Sequence, residues 1–134
     1  MLSNIGIISI IITLFLSFLV IYISILSLKE KDNLINKKIY NYALYQVIFS
    51  ILSFLTLLAA FINSDFSLIN VFENSHVDKP LFYKIAGTWG SHEGSLLLWT
   101  NILIVFSFLF LIYKKNNNKI FRLYTLIFQN FLII

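Results

Sequence analysis

The sequence predicts an all-α integral membrane protein: a helical bundle fragment with three full transmembrane spans and an incomplete fourth. Three observations predict it. Of 134 residues, 59% are apolar and only 12% charged, with a mean hydropathy of +0.87, whereas a soluble domain carries roughly 25% charged residues. The charges gather in three clusters, and uncharged apolar runs lie between them. A helix rising ~1.5 Å per residue needs ~20 such residues to cross a hydrocarbon core of ~30 Å. This composition excludes a soluble globule, and it excludes a disordered chain, which needs low hydrophobicity and high net charge. Without any Cys there is no disulfide framework, thiolate zinc site or thiol nucleophile. The net charge of +4 does not signal nucleic acid, because the basic residues flank apolar runs.

The first span, 2–28, carries no charge before Lys29. Met1-Leu2-Ser3-Asn4 lacks a basic start, the apolar run is too long, and no small-residue cleavage site follows, so a signal peptide is a poor reading. At the helical period, Gly6, Ser9, Thr13, Ser17, Ser24 and Ser27 fall in one narrow sector. In the second span, 39–62, Gln46, Ser50, Ser53 and Ala60 align in the same way. Small and hydroxyl residues in line let backbones approach and side chains hydrogen-bond across helices. The competing reading is scatter, since Ser and Thr can bond back to their own turn. The third span is 95–113, and 123–134 is a 12-residue apolar run too short to cross. The expectation is therefore that residues 1–134 form the N-terminal membrane segment of a larger or split protein. A short interfacial helix is the alternative for the last run, and Gln129 and Asn130 permit it.

Orientation follows from Lys and Arg in the connecting loops. Lys29, Lys31, Lys37 and Lys38 follow the first span, and Lys114, Lys115, Lys119 and Arg122 follow the third. Only Lys79 and Lys84 fall in the long loop 63–94. The basic loops are expected inside, with the N-terminus and the 63–94 loop on the outer side.

That outer loop holds both histidines, four of the six acids, the one Pro and three of the four Gly residues. His76, His92 and Glu93 resemble a two-His, one-carboxylate metal set, but a zinc-protease helix needs a second His four residues on, where Leu96 stands. A proton relay through His92 and Glu93 finds no charged residue inside a span to continue it. A lone loop histidine is a nonspecific haem ligand. A structural reading accounts for more. Ser91 suits a helix N-cap and Glu93 the positive end of the dipole. Trp89 suits the aromatic belt, and Gly90 and Gly94 suit a tight turn into the helix with close backbone approach. His92, Ser95 and Trp99 share one helical face, with Trp99 about 10 Å along the axis from His92. Such a stripe faces protein or cofactor better than lipid.

The run Trp89-Gly90-Ser91-His92-Glu93-Gly94-Ser95-Leu96-Leu97-Leu98-Trp99 resembles the WGxHEGSxLLW signature of the CcmF/NrfE family, haem lyase subunits of cytochrome c maturation. The preceding Pro80-Leu-Phe-Tyr-Lys84 and the Asn63-Ser64-Asp65-Phe66 run agree with it. The resemblance implies a multi-pass protein of a bacterial or mitochondrial inner membrane, helping to deliver haem and attach it to apocytochrome c on the outer side. It implies haem as cofactor, bound mainly by parts of the protein outside this chain. The implied partners are the remaining part of the lyase, a haem chaperone, thiol-reducing maturation proteins, apocytochrome c and membrane lipid, with no nucleic acid. No catalytic residue, metal ligand or haem ligand of the family maps onto this chain. Trp89, Gly90, His92, Glu93, Gly94, Ser95 and Trp99 stand as a motif of unassigned role. A non-catalytic assembly subunit and a fragment of a small-solute or proton transporter are the competing functions.

Overall fold

The computed structural model describes residues 2–29, 33–113 and 119–134; Lys31, Lys114 and Lys115, which entered the charge argument, lie outside them. The order is α1 (Leu2–Lys29), α2 (Asn33–Ile62), α3 (Ile69–Asn74), α4 (Leu81–Gly90), α5 (His92–Ile112) and α6 (Lys119–Ile133). Three of these, α1, α2 and α5, are long and apolar enough to cross a membrane.

The bundle is inverted relative to a soluble protein. Ser9, Thr13, Ser17, Ser24 and Ser27 of α1 are buried, as are Gln46, Ser50, Ser53 and Ala60 of α2, while Ile8, Ile11, Phe15 and Phe18 point outward. The aligned small residues thus form the contact face between α1 and α2. Back-bonding also occurs: the hydroxyls of Ser9, Thr13 and Ser17 donate to carbonyls four residues earlier at 2.7, 2.8 and 3.1 Å. The two readings are compatible, because a hydroxyl satisfied by its own turn can be buried against a neighbour without a desolvation penalty. Gly6 shows how close the helices come, since a Cβ there would stand 2.8 Å from Thr56 Oγ1.

One end of the bundle is closed by Ile39, Leu123 and Leu126, with Ile23, Leu28 and Leu111 packed around them. The end of α1, the start of α2, the end of α5 and the start of α6 therefore lie together, so the helices alternate in direction. Arg122 Nη1 reaches Leu111 O at 3.5 Å, placing a cation at the carbonyl end of α5. Helix α6 packs against α1 and α5, and Asn130 is fully buried. This overturns the interfacial alternative for the last run: the segment is a member of the bundle. The buried amide of Asn130 finds its partners there rather than in water.

At the other end, α2 stops in a left-handed turn. Ser64 has φ 53°, its N–H donates to Phe61 O at 3.2 Å, and Asp65 N–H donates to Ala60 O at 2.9 Å. This is the helix-terminating pattern that normally uses Gly. The next residue accepts the Ser67 hydroxyl at 2.7 Å and its N–H at 3.2 Å, which hold the Asp65 carboxyl below its ordinary pKa. Val71 of α3 then packs on Ala60 and Phe61, with Leu57 and Leu68 beside them.

Candidate functional site

Helices α4 and α5 meet at a single residue. Ser91 has extended φ and ψ (−79°, 155°), which breaks α4 and starts α5. Its hydroxyl accepts the Gly94 N–H at 3.1 Å and donates to Thr88 O at 3.4 Å, so one side chain stitches both helices. Ser91 is the N-cap that the sequence indicates, with Glu93 in the first turn. Helix α4 folds back so far that a Cβ on Gly94 would overlap the Thr88 carbonyl oxygen. Gly94 is thus required by close backbone approach, as expected. Gly90 is not: a Cβ there meets nothing within 4 Å, and no described Gly has positive φ. Gly90 closes α4 on its open side, and the expectation of a tight backbone approach there is corrected.

The inner side of α4 is fixed to the end of α2. Thr88 is fully buried, a Cβ on Gly87 would lie 3.1 Å from the Phe61 ring, and Lys84 Nζ donates to Ser64 Oγ at 2.7 Å. Among the described residues the buried Thr88 hydroxyl has no hydrogen-bond partner. The outer side of α4 is aromatic and exposed, with Phe82 at 77% and Trp89 at 46%.

The motif residues divide accordingly. Ser91 and Gly94 are buried in the junction, whereas Trp89, Gly90, His92 and Glu93 are exposed. Ser95 is half-buried and its hydroxyl donates to His92 O at 2.8 Å. Trp99 is 62% exposed, outside the packing of this chain. The His92, Ser95 and Trp99 stripe therefore faces away from α1, α2 and α6. His76 lies in the α3–α4 loop, its Nδ1 3.4 Å from Asp78 Oδ2, and no group of three metal-ligating side chains occurs among the described residues.

A buried polar hub lies deeper. Gln46 Nε2 donates to Ser17 Oγ at 2.7 Å and to Asn130 Oδ1 at 2.8 Å, joining α1, α2 and α6. Ser50 Oγ donates to Asn101 Oδ1 at 3.0 Å, joining α2 to α5. Asn101 and Asn130 also donate to Leu97 O and Leu126 O, each at 2.9 Å. Sequence reasoning picked out Gln46 and Ser50 but missed Asn101, the partner of Ser50. The available signal was a lone carboxamide in the middle of the uncharged third span.

No protein-family model matches the chain. Over 74 residues it is 53% identical to the cytochrome c-type biogenesis protein CycK of Bradyrhizobium diazoefficiens, a match covering 55% of this chain and 11% of that protein. It is 41% identical over 63 residues to the cytochrome c-type biogenesis protein CcmF of Escherichia coli, covering 47% and 10%. It is 37% identical over 62 residues to NrfE of Haemophilus influenzae, covering 46% and 10%. In structure it is similar to the solved cytochrome c haem lyase CcmF, with a TM-score of 0.89 and 21% identity over 99% of this chain and 22% of that one. The likeness to the CcmF/NrfE family is thereby shown, in sequence over about half the chain and in fold over nearly all of it. The matched regions span about a tenth of the length of these curated relatives. The chain is a multi-pass membrane protein.

Proposed function

We propose that the chain is the N-terminal membrane part of a haem lyase that helps deliver haem and attach it to apocytochrome c on the outer side of an energy-transducing inner membrane. The observation that carries this reading is the agreement between the CcmF fold and the sequence likeness to cytochrome c-type biogenesis proteins. The remaining part of the lyase, a haem chaperone, thiol-reducing proteins and apocytochrome c are the partners. Haem is held chiefly by the remainder of the lyase. The contribution of this chain is a wall: the exposed stripe of His92, Ser95 and Trp99 packs against further helices and shapes the haem or partner site without ligating iron.

The test uses the reassembled lyase. His92→Ala and Trp99→Ala are each expected to lower cytochrome c maturation, while the spectrum of lyase-bound haem stays unshifted in His92→Ala. An altered axial-ligand spectrum in that variant would make His92 a ligand and refute the wall. Full maturation in both variants would reduce the motif to a helix cap beside an interfacial tryptophan.

The orientation is proposed from the Lys and Arg distribution of four, two and four across the three loops. The absence of native Cys makes it directly measurable. A cysteine at Asn70 is expected to react with an impermeant thiol reagent added from outside, and one at Asn117 only after permeabilisation. The reverse pattern would place the motif on the wrong side for outward haem chemistry.

A further inference from the structure

Helix α4 lies across the heads of two spans. Near its middle, Lys84 Nζ donates to Ser64 Oγ just past the end of α2. One turn on, Thr88 O accepts the hydroxyl of Ser91, the cap of α5. The depth of those heads follows from length. Helix α5, with 21 residues, measures about 32 Å, against about 30 Å of hydrocarbon. Its first turn therefore stands at one boundary of the apolar layer, and α4 stands there with it.

The two sides of α4 are arranged as in the spans, opposite to a helix in water. The polar side chains turn inward: Thr88 is fully buried, and Lys84, the one charged residue of Leu81–Gly90, reaches toward α2. The outward side, with Phe82, Ala86 and Trp89 at i, i+4 and i+7, carries no charge. Beside it Tyr83 is exposed, its ring edge-on to Phe82 with centroids 6.0 Å apart.

We propose that α4 is an interfacial helix whose Phe82–Trp89 side is seated in lipid, at the boundary between headgroups and acyl chains. Two observations select lipid as the occupant. Large uncharged side chains at this depth meet bilayer rather than bulk water, and Trp and Tyr are the residues enriched there. A protein interface would also carry about one hydrogen bond per 100–200 Å². This side offers only the Trp89 indole N–H and the Tyr83 hydroxyl, the polar tips by which such rings reach headgroups. Lipid on this side fixes the depth at which the α4–α5 junction stands.

The test involves neither haem nor maturation, so its failure is distinct from failure of the proposed function. Spin labels are placed on Phe82→Cys, Trp89→Cys and, as a water reference, Asp78→Cys, whose native side chain is 89% exposed. Their collision rates with oxygen, which partitions into lipid, and with a water-soluble nickel chelate are measured for the 134-residue chain in phosphatidylcholine nanodiscs. The measurement is repeated after reassembly with the remaining lyase. At Phe82 and Trp89 the ratio of oxygen to chelate is expected to exceed that at Asp78 about fivefold or more, as for an interfacial face, in both preparations. Circular dichroism verifies that each labelled variant is folded. Chelate access equal to that at Asp78 would put this side in water and overturn the proposal. Exclusion of both reagents after reassembly would overturn it too, by identifying a protein surface as the occupant.

Discussion

Gly94→Val is expected to destabilise the chain by about 3–5 kcal/mol, the sum of backbone overpacking and a lost N-cap. The added Cβ would overlap the Thr88 carbonyl oxygen and press on Ser91 Oγ. Neither backbone nor cap can yield without opening the turn between α4 and α5. Gly90→Val, four residues away, is expected to change stability by less than about 1 kcal/mol, because its Cβ meets open space. Equilibrium unfolding in mixed detergent micelles, followed by circular dichroism, measures both. Equal losses in the two variants would mean that the motif glycines serve backbone flexibility in general rather than this one close approach.

The second large effect belongs to Gln46. Gln46→Leu leaves Asn130 Oδ1 buried without its 2.8 Å donor, at an expected cost of about 1–3 kcal/mol for an unsatisfied buried acceptor. Ser17 suffers less, since its hydroxyl keeps the Thr13 carbonyl. The Gln46→Leu/Asn130→Leu double variant is therefore expected to recover most of the loss, because removing both partners leaves no orphan. The same unfolding assay measures the cycle. A double variant as unstable as the sum of the singles would show that the two amides act independently, contrary to their geometry.

What could be read from the sequence follows from which forces are local. Three long helices were legible because bilayer thickness and hydropathy fix them residue by residue. The buried stripes on α1 and α2 were legible because helical period converts spacing into a face. Ser91 was legible as a cap because capping acts over three residues. Ser64 was not, because the left-handed turn it occupies usually selects Gly, and its side-chain partner Lys84 arrives from a helix distant in sequence. The difference between Gly90 and Gly94 was likewise hidden. Both look alike in sequence, and only the fold-back of α4 brings the Thr88 carbonyl against one of them. Asn101 became the partner of Ser50, and Asn130 that of Gln46, only once the bundle had set their heights.

Helix α4 is clamped at two points to two different spans: Lys84 holds Ser64 at the end of α2, and Thr88 is locked to Ser91 and Gly94 at the start of α5. Mechanically it is a short crossbar. Its other side leaves Phe82 and Trp89 exposed. Helices α2 and α5 are joined again further along by Ser50 and Asn101. The Trp99 ring, half a turn from Asn101, is therefore carried by a helix tied to α2 at two heights, directly through Ser50 and again through the crossbar.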